Sequence, residues 1–267
     1  MPEMPEVEAV SRLLRRHAVG ARIVCLRIER LRITAPQDPR DVELGASGRT
    51  IDTVDRRGKN ILVHLSGGSA LHVHLRMTGN LRVIQDARLH NAVTSAWALL
   101  DDGRGLVFED PRGLGTLRLH PAGTTQDFGL GPEPLSPDFS AEAFHALAKA
   151  SRQPAKSFLM DQRQIAGLGN IYAAEALWQA RVNPARMISS ISRPKLRTLH
   201  AAIVRVLEDA VESACIAYSR PGGFREAEEY SPSVYDREGQ ACLRCRRPIR
   251  RIVQAGRSTY YCPRCQR

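Results

Sequence analysis

Two pairs of cysteines near the end of the chain constrain its fold more than any other feature. Cys242 and Cys245 form the first Cys-x-x-Cys pair, and Cys262 and Cys265 form the second after a spacer of sixteen residues. Two such pairs at this separation can converge on one tetrahedral zinc ion. Two disulfides are the alternative, but no secretory signal peptide is visible in the sequence. We therefore expect one structural Zn²⁺, because four thiolates leave no coordination position for a reactive water.

The spacer between the cysteine pairs is strongly basic. It contains no acidic residue, and its arginines are Arg246, Arg247, Arg250, Arg251 and Arg257. The whole chain carries a formal net charge of +11 and has a sequence pI of about 9.9. Such an excess of cations favours a polyanionic partner, either nucleic acid or an anionic membrane surface. No stretch approaches the length of a membrane span, so we expect nucleic acid and no membrane partner.

Hydrophobic periodicity divides the 267 residues into two domains and a small appendage. Residues 1–120 alternate at period two behind an N-terminal helix, which predicts a β-rich domain. Residues 121–140 are rich in Pro, Gly and Asp and are predicted to be a linker. Helical periodicity over 141–230 predicts a helical domain, and the segment 236–267 is predicted to be a metal-bound finger. The chain is therefore predicted to be an α+β protein.

The same periodicities predict individual elements. Val7, Val10 and Leu14 recur at helical spacing and predict the N-terminal helix. Strands are predicted at 60–65, 70–75 and around 117–119. Helices are predicted at 141–150, 153–161, 171–180 and 195–217.

The first residues, Met1-Pro2-Glu3, carry a possible nucleophile. Removal of the initiator Met would leave Pro2 as a free secondary amine, and an α-amino group with a pKa of about 8 is partly unprotonated at neutral pH. Such an amine can attack an electrophilic carbon and form an iminium. The carboxylates of Glu3 and Glu6 are placed to move protons. The competing interpretation is that Pro2 only starts a helix whose first turn carries two acids.

Two further motifs suit a phosphate ligand. Gly58 and Lys59 follow two arginines in a turn, where the lysine could also stand near a reacting sugar; a solvated basic turn is the alternative. Gly167 and Gly169 precede a helix that begins near Asn170, so its N-terminal N–H groups could face an anion. Asn170 itself could cap the helix or contact the phosphate. A helix–turn–helix without a ligand is the alternative there.

These motifs resemble, in order along the chain, those of the formamidopyrimidine-DNA glycosylase (MutM) and endonuclease VIII family. The matching segments are Met1-Pro2-Glu3-Met4-Pro5-Glu6-Val7-Glu8, Arg57-Gly58-Lys59, His74-Leu75-Arg76-Met77-Thr78-Gly79, Asp110-Pro111-Arg112, Gly131-Pro132-Glu133-Pro134-Leu135, Gly167 to Leu177 and the four cysteines. The start of the chain is closer to the formamidopyrimidine branch. The resemblance implies an N-terminal β-sandwich with a leading helix, a helix–two-turn–helix domain and a C-terminal zinc finger, which together hold DNA.

The resemblance also implies a role for each matching residue. In the catalytic site it implies Pro2 as the nucleophile at the sugar C1′, Glu3 as general acid and base, Glu6 as a supporting carboxylate and Lys59 as a supporting phosphate contact. Among the DNA contacts it implies Asn170 and Arg257 at phosphates around an extruded nucleotide. Met77, Arg112 and Leu114 are expected to fill the gap left in the duplex.

The predicted function is therefore base-excision repair of damaged double-stranded DNA, with removal of oxidised bases and strand cleavage by β,δ-elimination. 8-Oxoguanine and formamidopyrimidines are the first expectation, with oxidised pyrimidines, abasic sites or bulkier lesions as alternatives. A non-catalytic DNA-binding protein is the alternative from another class. We expect a monomer in the cytoplasm, associated with the nucleoid, that needs no nucleotide cofactor.

Three departures from the family pattern bear on the lesion. Leu114 stands where the family commonly has an aromatic residue, and Gly113 stands where it commonly has a basic one. The stretch 214–235, where the formamidopyrimidine branch carries a loop over the oxidised purine, matches poorly and looks short. Leu114 and the altered 214–235 stretch predict weaker 8-oxoguanine excision than is typical of the family, with lyase action on abasic sites better preserved.

Overall fold

The computed structural model describes residues 2–124, 127–220 and 230–267. These residues form two compact units. The first contains residues 2–124, Asp127 and 214–220, and the second contains 128–213 and 230–267.

The first unit is a β-sandwich of eight antiparallel strands. In chain order they are β1 (Ile23–Ile28), β2 (Ile51–Arg57), β3 (Asn60–Leu65), β4 (Ala70–His74), β5 (Asn80–Ile84), β6 (Thr94–Leu100), β7 (Gly105–Glu109) and β8 (Thr116–His120). One sheet has the order β1-β6-β7-β5 and the other has the order β2-β3-β4-β8. The strands predicted at 60–65, 70–75 and around 117–119 are confirmed as β3, β4 and β8.

Alternation along β4 explains how the second sheet faces the core. Leu71 and Val73 are buried in the hydrophobic core shared by both sheets, whereas His72 and His74 point to the other face of the sheet. The N-terminal helix α1 (Met4–His17) packs its apolar side, including Val7, into the same core. A second helix, α2 (Pro39–Ala46), was not expected from the sequence.

The second unit is helical and ends in a β-hairpin. Its helices are α3 (Ala141–Ala150), α4 (Ala155–Met160), α5 (Asn170–Gln179) and α6 (Arg193–Tyr218), of which the residues from Ala214 onward belong to the first unit. All four predicted helices are confirmed; α4 is shorter than predicted because Pro154 precedes its first turn. The hairpin consists of β9 (Arg250–Gln254) and β10 (Arg257–Tyr261). Among the residues described, no helix combines the length and apolar character needed to cross a membrane.

Candidate functional site

The start of α1 brings the three predicted N-terminal site residues together. Pro2 is buried, and Glu3 and Glu6 are only 1% and 3% exposed. Glu3 is the N-cap of the helix, and its backbone N–H donates to the Glu6 carboxylate at 2.7 Å in a reciprocal capping box. The backbone beside Pro2 is therefore fixed by the helix cap, and two carboxylates lie within four residues of the amine that Pro2 would carry.

An ion network ties α1 to the turn that carries Lys59. Glu8 accepts hydrogen bonds from Arg12 at 2.9 Å and from Arg56 at 2.8 Å. Burial opposes ionisation of Glu8, but the hydrogen bonds from Arg56 and Arg12 outweigh it and lower the pKa of this carboxyl. Arg56 also donates to the Gly58 carbonyl at 2.9 Å. One guanidinium thus joins α1 to the β2–β3 turn, where the predicted phosphate contact Lys59 lies.

His74 lies in the electrostatic neighbourhood of Lys59 and was given no role from the sequence. Burial, followed by the positive charges of Arg76, His72 and Lys59, lowers the pKa of His74 to about 4. Its Nδ1 accepts the Arg76 N–H at 3.0 Å, so the neutral ring carries its proton on Nε2. The ring is therefore a neutral donor at the end of β4. In the sequence, the only signal was the position of His74 in the period-two pattern of the strand. That spacing does not distinguish a buried, neutral histidine from a solvated one.

Two neighbouring loops present the residues predicted to fill the duplex. Asp110 is fully buried, and its carboxylate accepts from the Thr78 hydroxyl and from the Gly115 N–H, the latter at 2.7 Å. The Arg112 N–H approaches the Thr78 Oγ1 at 3.3 Å. One buried carboxylate thus holds loop 75–79 and loop 110–115, which we call the paired loops. Met77, Arg112 and Leu114 are exposed on these loops, as are Arg76 and Pro111.

The space beside Gly113 is filled by two arginines from another part of the chain. Gly113 has a φ of 59°, and a Cβ there would lie 2.6 Å from Arg30 Nη1 and 2.7 Å from Arg32 Nη2. Arg30 donates to the Asp110 carbonyl at 2.7 Å, and Arg32 donates to the Arg112 carbonyl at 2.6 Å. The cationic charge that the sequence lacks at position 113 is therefore supplied beside it by two guanidinium groups.

Asn170 occupies the first position of α5 in the second unit. The N-cap is Gly169, which has no side-chain cap, so the predicted capping role of Asn170 is not observed. The Oδ1 atom of Asn170 is buried without a hydrogen bond to any residue that the structure describes. The preceding loop is braced by Gln162, which donates to the Leu168 carbonyl and accepts from the Gly167 N–H, both at 2.8 Å.

Arg257 stands at the tip of the C-terminal hairpin. Ala255 and Gly256 form a two-residue turn with φ values of 46° and 73°, and Arg257 pairs with Gln254 where β10 begins. The hairpin is anchored by Lys156 of α4, a buried side chain that donates to the Ser258 carbonyl at 2.8 Å and to the Thr259 hydroxyl at 2.7 Å. Sequence reasoning missed Lys156, which lies about a hundred residues from its partners.

The four predicted metal ligands converge at the base of this hairpin. The sulfurs of Cys242, Cys245, Cys262 and Cys265 all lie within 4.8 Å of one another. All are free thiols, and the Cys245 and Cys262 sulfurs are 3.4 Å apart, which is too long for a disulfide of about 2.05 Å. Four sulfurs at zinc-ligand separations fit one tetrahedral, structural zinc ion, as the sequence predicted.

A buried carboxylate fixes the segment that leads into the cysteine cluster. Glu175 of α5 accepts from the backbone N–H groups of Ser233, Val234 and Tyr235 at 2.8–2.9 Å. Burial raises the pKa of Glu175, although the three hydrogen bonds oppose that effect. Glu175 was quoted within a motif from the sequence, but its structural role was missed. Residues 221–229 of the predicted lesion loop lie outside the described residues.

Three family models match the chain in sequence. They are the formamidopyrimidine-DNA glycosylase N-terminal domain over residues 1–117, the formamidopyrimidine-DNA glycosylase H2TH domain over 130–219, and a zinc finger found in FPG and IleRS over 239–267. Together they match most of the chain and account for the cysteine cluster as a zinc finger.

Curated relatives and solved structures agree with these models. The chain is 40% identical over 275 residues to a formamidopyrimidine-DNA glycosylase of Roseiflexus sp. (strain RS-1), with all of both chains covered. It is 41% identical over 278 residues to the enzyme of that name from Thermus thermophilus, covering 100% of this chain and 98% of the relative. The crystal structure of the MutM (FPG) protein from Thermus thermophilus superposes with a TM-score of 0.84 at 38% identity, covering 99% and 98%. A complex of Lactococcus lactis Fpg with abasic-site DNA superposes at 0.90 with 28% identity and 99% of each chain covered.

Proposed function

The chain belongs to the formamidopyrimidine-DNA glycosylase family, and on that basis we propose that it excises oxidised bases from double-stranded DNA through an iminium of Pro2. The observation that carries this proposal is the buried N-terminal group of Pro2, Glu3 and Glu6, in which the helix cap fixes a nucleophile beside two carboxylates. The turn bearing Lys59 is braced against the same helix through Arg56. Strand cleavage by β,δ-elimination follows from the same iminium.

The reaction begins with rotation of the damaged nucleotide out of the duplex, which costs a few kcal/mol. The side chains of Met77, Arg112 and Leu114 fill the void, and phosphate contacts by Asn170 and Arg257 offset the remaining cost. These five residues are the proposed DNA contacts. Arg30 and Arg32 add charge beside the second of the paired loops.

The Pro2 nitrogen then bonds to C1′ while the glycosidic bond breaks and the base leaves with a proton. Glu3 supplies a proton as the sugar ring opens, which yields an iminium between Pro2 and C1′. Glu6 holds the Glu3 backbone in place. Loss of a C2′ proton expels the 3′ phosphate, a second elimination expels the 5′ phosphate, and hydrolysis releases Pro2. The zinc takes no part in these reaction steps; its role is to stabilise the folded finger.

Oxidised purines are the proposed substrate class. Support comes from the solved Lactococcus lactis relative, which is described in complex with DNA containing Fapy-dG and with DNA containing an abasic site. Leu114 has no aromatic ring to stack on a base, and such stacking contributes on the order of 1–3 kcal/mol per base in single-strand binders. We therefore expect slower excision of 8-oxoguanine than of ready-made abasic sites. A panel of duplexes, each with one defined lesion, tests oxidised pyrimidines and bulkier lesions as alternative substrates.

The protein is proposed to act as a monomer on nucleoid DNA in the cytoplasm, without a nucleotide cofactor. Its excess of cations predicts strong salt dependence, with log K falling by about 0.9 per phosphate contact for each unit of log salt. A flat salt response would place the positive charge away from the DNA.

Borohydride trapping tests the proposal, because only an iminium is reduced to a stable cross-link. The mature protein should be trapped on an abasic-site duplex, and Pro2→Gly should weaken or abolish the cross-link. Glu3→Gln should slow base release by about 10²–10⁴-fold while leaving duplex affinity nearly unchanged. The exposed Glu208→Gln serves as the matched carboxylate control. Equal trapping by Pro2→Gly and by a form retaining Met1 would show that Pro2 is not the nucleophile. Full binding with no trapping at all would favour the non-catalytic DNA-binding alternative.

A further inference from the structure

A shallow depression in the second unit is lined almost wholly by arginine. Its volume is about 530 Å³, and its cationic lining residues are Arg181, Arg244, Arg264 and Arg267, which we call the knuckle arginines. The remaining lining comes from Cys245 and Cys265. All four guanidinium-bearing residues are exposed to solvent. Nothing in the proposed repair reaction uses this surface.

Further cations surround the depression. Burial, followed by the positive charges of Arg181, Arg186 and Arg244, lowers the pKa of Lys195. The knuckle arginines therefore belong to a larger field of positive charge that extends to Lys195 and Arg186. Like charges held this close repel one another, and the net negative charge of four thiolates around one Zn²⁺ offsets only part of that repulsion.

One member of the cluster is held rigidly. The Arg244 guanidinium lies 3.8 Å from the centre of the Trp178 ring, in a cation–π contact. It also donates to the Trp178 carbonyl at 2.6 Å and to the Gln179 carbonyl at 3.3 Å, which are the last carbonyls of α5. Arg244 thus satisfies the C-terminus of the helix, and little conformational freedom is left for it to lose on binding a ligand.

Among the residues that the structure describes, no Asp or Glu side chain neutralises the cluster. In the described part of the chain, none of the knuckle arginines forms an ion pair with Asp or Glu. Arginines elsewhere in the same unit do so: Arg163 pairs with Asp161 at 3.0 Å, and Arg251 approaches Glu238 at 3.8 Å. The difference leaves the guanidinium groups of the depression available to an external anion.

The depression is remote from the proposed DNA contacts of the second unit. Arg181 and the carbonyls bound by Arg244 lie at the end of α5 opposite Asn170, and ten helical residues span roughly 15 Å. Arg264 lies beyond the end of β10 opposite Arg257, and five strand residues span roughly 16 Å. The two sets of cations therefore occupy opposite ends of the same two elements.

We propose that the knuckle arginines form a second phosphate-binding site, separate from the surface that carries Asn170 and Arg257. Planar guanidinium groups bind phosphate oxygens in pairs, and a ligand with several phosphates can engage several of them at once. The depression admits a compact polyanion and is too small for a whole duplex. The ligand is either a free polyphosphate or the phosphodiester backbone of a single strand, and these two sources share the same chemistry.

Trp178 provides a local probe of binding. The chain has two tryptophans, so Trp97→Phe leaves Trp178 as the only one. The zinc-loaded full-length protein is first saturated with an abasic-analogue duplex to occupy the repair surface. Tripolyphosphate, a short single-stranded oligonucleotide and oligoglutamate are then titrated separately. The proposal expects a saturable change in Trp178 fluorescence with tripolyphosphate, with the oligonucleotide, or with both; the tighter ligand identifies the source.

Charge reversal within the cluster distinguishes this site from general attraction. Arg181→Glu and Arg264→Glu should each weaken phosphate binding by about tenfold or more, as expected for loss of one charge-assisted contact. The exposed Arg205→Glu makes the same charge change on α6 and should have little effect. The zinc content of each variant shows whether the finger is still folded. Arg264 lies between two zinc ligands, so Arg264→Glu could lose the metal, whereas Arg181 lies outside both cysteine pairs and provides an independent test. Equal weakening by all three variants, or binding of oligoglutamate but neither phosphate ligand, would overturn the proposal.

Discussion

The zinc finger and the paired loops both present exposed side chains from short segments, but they are held in different ways. Four cysteine sulfurs within 4.8 Å of one another hold the finger around a metal ion. The paired loops depend on the single buried carboxylate of Asp110, which binds Thr78 and Gly115. The finger is thus fixed by bonds to one ion, and the loops are fixed by a few hydrogen bonds.

This difference predicts how each region fails. Metal binding supplies the folding free energy of a small finger, so losing one ligand should release the whole element. A hydrogen-bond network loses stability in steps of about 1–3 kcal/mol as partners are removed. The finger should therefore respond as a unit, whereas the loops should weaken by degrees.

The largest effect is expected from Cys262→Ser. The variant should lose its zinc and weaken duplex binding by roughly a hundredfold, because Arg257 is released together with the hairpin. Metal analysis and fluorescence anisotropy measure the two losses. Cys25→Ser changes a cysteine outside the cluster and should keep both zinc and affinity. Full duplex affinity in a zinc-free Cys262→Ser protein would contradict this prediction, because the finger would then stay folded without its metal.

A smaller effect is expected from Asp110→Asn. Asp110 now accepts hydrogen bonds from Thr78 and Gly115, and in the variant the amide NH₂ would face one of these donors. The lost hydrogen bond should lower the free energy of unfolding by about 1–3 kcal/mol and slow lesion excision. Zinc content should not change. Thermal unfolding and single-turnover kinetics measure the effects, and Asp52→Asn, an exposed aspartate on β2, is the control. A variant as stable as the native chain would show that the loops do not depend on Asp110.

The smallest effect is expected from Leu114→Phe, which changes what the loops present and leaves their anchoring intact. Leu114 is 42% exposed, so an aromatic ring can be accommodated. Added stacking should raise single-turnover excision of 8-oxoguanine several-fold, up to about tenfold, and leave cleavage of abasic sites nearly unchanged. Leu44→Phe, on the exposed face of α2, is the matched control. The prediction would be contradicted if the native protein excised 8-oxoguanine as fast as it cleaves abasic sites and if Leu114→Phe changed neither rate.

Local patterns in the sequence predicted part of this molecule well. The four cysteines could be assigned to one zinc site because ligand spacing is itself local information. Helices α3, α5 and α6 of the second unit were predicted because their periodicity runs over several turns, whereas the six-residue α4 was predicted only as part of a longer segment, 153–161. By contrast, every residue of β7 is buried, so it shows no alternation, and the eight residues of α2 are too few for a clear periodic pattern.

The supports of the candidate site could not be predicted in the same way. Asp110, Glu175 and Lys156 are buried polar groups whose partners include residues 32 to 103 positions away in sequence. A lone charged residue in a sequence is usually solvated, and only the tertiary fold brings its partners to it. The residues predicted to perform chemistry were recognised from motifs, and their roles remain predictions that the variants above test.

The arginines packed beside Gly113 restrict which sequences can descend from this one. A basic residue at position 113 would need a left-handed backbone that costs an L-residue about 1–2 kcal/mol. Its Cβ would also displace Arg30 and Arg32 from the carbonyls that they bind. The contacted atoms are the ends of flexible side chains, so both arginines can shift, but a basic residue at 113 would still carry the backbone cost and would weaken their hydrogen bonds. The effect of a substitution at position 113 is therefore expected to depend on residues 30 and 32, which is epistasis between sites far apart in sequence.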